Sequence, residues 1–198
     1  MTLTAATGTQ YVQGLIAPGL ILGLPTVVIL TGSTVALAPY SILEQFGLVV
    51  LAIYVTLVSA ALGPLIGMTF PRFDAISAGQ ADEVIPPRIT AIALHVIAIS
   101  GPSSLLALLV VTPQLAQTVV AALTGTVPSF LLGFIASAGI GQLTGIAVWF
   151  RTVGEAIQTT PTTTFRIAAG IILISGGTIS AIVAYRSAIH RFNEYSPP

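Results

Sequence analysis

The chain has no cysteine, which excludes disulfides, thiolate metal sites and a cysteine nucleophile. It has no lysine either: all six cations are arginine, matched by six carboxylates for a formal net charge of zero. The basic stripe that marks nucleic-acid binding is missing, so no nucleic-acid partner is expected. Charged residues make up only 6% of the 198, where a soluble domain carries about 25%. So few charges cannot build a water-facing surface, and the solvent for most side chains is a lipid bilayer. There are two histidines, no HExxH motif and no carboxylate–histidine cluster at metal-ligand spacing, so no metal is expected. Neither a GxxxxGK[ST] phosphate cradle nor a GxSxG nucleophile elbow occurs, so the chain is expected to hold no cofactor and to be no enzyme. The first ten residues lack a basic region, and Pro18 and Pro25 interrupt the apolar run behind them. No cleaved signal peptide is expected.

What the chain has in abundance is apolar sequence: 55% hydrophobic residues and a mean hydropathy of +1.00. The expected fold is all-α, a polytopic membrane helix bundle over 1–198. It has five spans plus a sixth segment that is either re-entrant or a further span. The spans are expected at about 11–37, 46–68, 89–111, 129–150 and 165–185, each near the ~20 residues needed to cross hydrocarbon. The first is long and carries Pro18 and Pro25, which remove backbone donors and predict a bend. Ser41 is placed to cap a lead-in bearing Glu44. Residues 114–127 are apolar but too short to span alone, and Gly125 and Pro128 are expected to end them as a half-helix. Trp149 is expected at a membrane interface, closing the fourth span. After 185 the tail, with Arg186, His190 and Arg191, is expected as a polar helical extension on a membrane surface.

GxxxG spacing at Gly19 and Gly23, Gly63 and Gly67, and Gly141 and Gly145 predicts helix-packing faces. His95 is the one ionisable group expected deep inside a span. Such a residue marks a functional position, while a neutral histidine bonded to a neighbouring helix is the plainer role. A serine–histidine dyad needs a serine from another span: Ser103 lies about two turns or ~12 Å from His95 along its own helix. No acidic residue is expected near the middle of a span.

Between the second and third spans runs the longest stretch that favours water, from Gly67-Met-Thr-Phe-Pro-Arg-Phe-Asp74 to Arg88. Counting arginines by the positive-inside rule places this loop on the cytoplasmic face whether there are five or six crossings. With five, Arg186 and Arg191 lie on the opposite face from Arg72 and Arg88. With an even number they join them.

This stretch, followed by Val84-Ile-Pro86, resembles the membrane subunit of ABC-2-type exporters. There a span ends in Gly-x-x-Phe-Pro-x-Phe, and a charged cytoplasmic loop and a proline-led helix follow. The tail with Tyr185, Arg186, Arg191, Phe192 and Tyr195 is similar to the end of such permeases. Residues 113–128 are similar to their short extracellular helices. The resemblance implies a multi-pass subunit of the cell (plasma) membrane that pairs with another membrane chain, its own copy or a sister. A separate ATP-binding subunit would drive export by alternating access. Gly67, Phe70, Pro71, Arg72, Phe73 and Asp74 would form the coupling motif. The upstream amphipathic helix of the family has no counterpart, which implies a C-terminal part, a reduced paralogue or a subunit beside a second membrane chain. The alternative is a non-transporting membrane scaffold or assembly partner. Few polar groups line the spans, so a lipid-like or apolar cargo is expected.

Overall fold

The computed structural model describes residues 7–70, 89–139 and 141–195. Among them the chain is all-α, with no strand. Helix α1 (Gly8–Pro18) and α2 (Leu24–Leu37) form one continuous rod through a π-helical turn at Gly19–Gly23. Helices α3 (Ile42–Thr69) and α4 (Ile89–Val111) follow. A second rod joins α5 (Pro113–Ala121) to α6 (Val127–Ser137) through a π turn at Ala122–Thr126. Helix α7 (Leu143–Thr159) and the 34-residue α8 (Thr162–Tyr195) complete the chain. Among the described residues, five segments are long and apolar enough to cross a membrane: Gly8–Leu37, Ile42–Thr69, Ile89–Val111, Pro113–Ser137 and Thr162–Glu194. Their apolar side chains are mostly uncovered by protein, as suits a multi-pass membrane protein whose helices face lipid.

The fourth of these differs from the expected span at 129–150. The helix that starts at Pro113 runs on to Ser137, so 114–127 is its first half rather than a separate half-helix. It stops where Gly139 takes φ +114°, a conformation glycine adopts without a Cβ clash. Trp149 lies within α7, beside Phe150, and not at a span end.

Pro128 does not end the helix because the π turn absorbs it. A proline ring clashes with the carbonyl four residues earlier, here that of Thr124, at the centre of Ala122–Thr126. Widening the turn moves that carbonyl aside. The first rod repeats the device: Pro25 would meet the carbonyl of Ile21, at the centre of Gly19–Gly23. The bend expected at Pro18 and Pro25 is therefore a π turn. In α4, Pro102 sits in an unbroken helix, where the Ser103 hydroxyl donates to the Ile99 carbonyl at 2.5 Å. Ser41 caps α3 as expected, receiving the Glu44 N–H while the Glu44 carboxylate takes the Ser41 N–H at 2.8 Å.

The chain forms two compact units, Met1–Ser104 with Ile174–Pro198, and Leu105–Leu173. In the first, the N-terminal turn of α1 packs on the end of α8: Tyr11 stacks on Phe192 with ring centroids 4.3 Å apart. Gly8 lies against Asn193. The tail continues α8 as the helical extension expected, and it is held to α1. The Tyr54 hydroxyl lies over Gly177 and donates to the Ile174 carbonyl at 2.7 Å, fixing α3 to α8.

In the second unit, α5–α6 and α7 form an antiparallel hairpin. Gln117, only 6% exposed, donates its amide to the carbonyls of Ile157 and Thr160, both at 2.7 Å. It thereby satisfies acceptors that the end of α7 leaves open. One step deeper, Gly125 and Gly154 meet backbone to backbone: a Cβ on Gly154 would lie 2.9 Å from the Gly125 Cα. Gly154→Ala is expected to destabilise the chain by about 1–3 kcal/mol through overpacking. Gly133→Ala, which meets open space, is expected to stay within about 0.5 kcal/mol. Unfolding in mixed micelles measures both, and equal midpoints would contradict this packing.

Candidate functional site

Three of the residues singled out in the sequence come together between α3 and α4. Ser59, Gly63, Ile66 and Gly67 follow one another on one face of α3. Ala91, Ile92, His95 and Val96 do so on α4. Gly63, Ile66 and Gly67 and the four α4 residues enclose a cleft of about 270 Å³ that is nearly all apolar. At its side the Ser59 Oγ and His95 Nε2 are hydrogen-bonded at 2.8 Å, both half-buried. The serine that a dyad requires from another span is therefore present, and it escaped the sequence reading because nothing in the pattern pairs residues 36 apart. The pair has the reach of a nucleophile and its base. No group among the described residues bonds the other ring nitrogen to orient it. What the bond does in this geometry is tie two spans together in an apolar setting.

Among the described residues the GxxxG glycines pack against no neighbouring helix. A Cβ on Gly19, Gly23, Gly63, Gly67, Gly141 or Gly145 would meet nothing within 4 Å. GxxxG spacing permits a close helix without supplying one, and these faces are uncovered by the described residues. Gly63 and Gly67 line the cleft, Gly19 and Gly23 lie in the π turn, Gly141 lies in the α6–α7 break and Gly145 on α7. The close glycine pair is Gly125 with Gly154, which are 29 positions apart and carry no local signal.

Of the motif after α3, Gly67 lies in the last turn and Phe70 caps the helix. Pro71, Arg72, Phe73 and Asp74 lie outside the described residues. Thr69 accepts a hydrogen bond from Arg191 Nη1 at 2.9 Å. The end of α3 and the end of α8 thus meet at one end of the first unit.

The α5–α7 hairpin carries a charge pair. Arg151 Nε donates to Glu155 Oε1 at 2.9 Å. Gly154 lies between them in sequence, and its contact Gly125 is the central residue of the 25-residue segment Pro113–Ser137. The pair therefore stands about 18 Å from either end of a candidate span, at 1.5 Å per residue. The signal in the sequence was the i,i+4 spacing. What hid its depth was the misplaced span at 129–150.

Compared with protein-family models, curated proteins and solved structures, the chain matches none.

For the Ser59–His95 bond, a double-mutant cycle of Ser59→Ala with His95→Leu is expected to give a coupling of about 0.5–1.5 kcal/mol, the range for bonds between spans. The wild-type chain is expected to stay unlabelled by a fluorophosphonate. Zero coupling together with labelling abolished by Ser59→Ala would make the pair catalytic instead.

Proposed function

We propose that this chain is a membrane subunit of an ABC-2-type exporter in the plasma membrane, moved by a separate ATP-binding subunit. One observation supports the reading above others: the helix end that carries the motif is clamped to two further helices. Thr69 is bonded to Arg191 of α8, and α8 is packed against α1 through Phe192 and Asn193. A soluble partner gripping the polar stretch after Phe70 would push on α1, α3 and α8 together. That suits a rigid-body, two-state motion biased by nucleotide bound elsewhere. In a six-span topology Arg72, Arg88, Arg186 and Arg191 would share one face, which the positive-inside rule makes cytoplasmic, where ATP is available.

A second reading, a non-transporting scaffold, is favoured by the uncovered glycine faces, which fit a neighbouring membrane chain whatever that chain does. The full chain, tagged and purified from its own membranes, separates the two. Under the exporter reading a protein with a GxxxxGK[ST] loop co-purifies, and the complex hydrolyses ATP in proteoliposomes. Arg72→Ala and Phe73→Ala are expected to lower that ATPase coupling at least about fivefold, or ~1 kcal/mol, at unchanged abundance. Oligomers free of any ATP-binding subunit would overturn the exporter reading in favour of the scaffold.

A further inference from the structure

A hydroxyl and a neutral imidazole each carry one hydrogen to donate, and the bond between Ser59 and His95 uses only one of the two. In these helices other hydroxyls donate to a carbonyl one turn back, as Thr56 does to Ala52 and Ser103 to Ile99. Ser59 makes no such bond among the described residues, so its hydrogen goes to His95 Nε2. The reverse arrangement would leave both the Ser59 hydrogen and the Nδ1 lone pair unpaired. The imidazole proton therefore sits on Nδ1, where no described residue accepts it. A donor without an acceptor is costly in an apolar setting. His95 lines the α3–α4 cleft, and Ser59 does not. The cleft's depth narrows what can supply the acceptor. At 1.5 Å per residue, Gly67 and Ala91 lie about 3 Å from the helix ends at Thr69 and Ile89, and Gly63 and His95 about 9 Å. The cleft thus runs from the edge of the hydrocarbon into it. A phospholipid, fatty acid or sterol keeps its polar end in the interfacial region, above His95.

We propose that this cleft binds the ring of an isoprenoid quinone, one carbonyl oxygen accepting the His95 Nδ1–H. A quinone ring is uncharged, so placing it in hydrocarbon leaves no ion away from water. Its carbonyls only accept, which matches a site whose one open group is a donor. Gly63 and Gly67 add no side chain to the α3 wall, and Ile66, Ile92 and Val96 supply apolar surface for the ring. Ile92 and Val96 are about half exposed, so the cleft opens sideways to lipid, where the isoprenoid tail lies. The volume of about 270 Å³ is just under the ~300 Å³ at which pockets for drug-sized molecules begin, room for one ring and not for a two-chain lipid. The proposal stands on α3 and α4 alone and does not rest on the exporter reading.

The test is binding of two probes to the full chain in detergent micelles. One is a decyl-tailed benzoquinone. The other is its hydroquinone dimethyl ether, which keeps ring and tail but replaces both carbonyls with weakly accepting ethers. Wild type is expected to hold the quinone about tenfold more tightly than the ether. The infrared band of one quinone carbonyl is expected to move to lower frequency on binding, and His95→Leu to remove both that shift and the preference. Gly63→Leu, which builds into open space, is expected to fill the cleft and abolish binding, and it decides should His95→Leu fail to fold. Equal binding of the two probes by wild type would overturn the proposal. So would a quinone retained equally by wild type and Gly63→Leu, since it would only have partitioned into the micelle.

Discussion

The contact of Gly125 with Gly154 is the constraint on which the second unit depends. Two helices can bring their backbones together only where neither carries a side chain, so this contact fixes both the spacing and the register of the α5–α7 hairpin. The register then decides what faces what. It puts Gln117 beneath the open carbonyls at the end of α7 and sets Arg151 and Glu155 at the middle of an apolar rod. A shift by one turn would strand the Gln117 amide and slide the charge pair toward one end.

Proline is handled by geometry rather than by ending helices. Both rods that contain a π turn place its centre four residues before a proline, and both run on as helix beyond it. In lipid a backbone carbonyl without a partner is costly, so widening one turn is a better solution than breaking the rod. Local rules read Gly125 and Pro128 as a stop. The tertiary environment, with no water available, makes continuation the cheaper outcome.

This explains which parts were legible in the sequence. The all-α class and the spans at α3, α4 and α8 follow from long apolar runs, and the Ser41 cap from a three-residue pattern. The span at 129–150 was misread because the strongest helix-stop signals, Gly125 and Pro128, lay inside a rod, while the true stop was the less conspicuous Gly139. His95 stood out as a lone ionisable residue, but its partner Ser59 is one serine among many. Glycine spacing marked faces capable of close approach, yet the approach that occurs joins Gly125 to Gly154, which share no spacing. Residues that meet across the chain are set by register, and register is a property of the packed helices.

The pairing of Arg151 with Glu155 also has an electrical consequence. A single charge moved across the membrane field takes up work in proportion to the voltage. Opposite charges carried one turn apart on the same helix cancel that work to first order. A displacement of the hairpin along the membrane normal would therefore cost nearly the same in an energised cell as in a depolarised one.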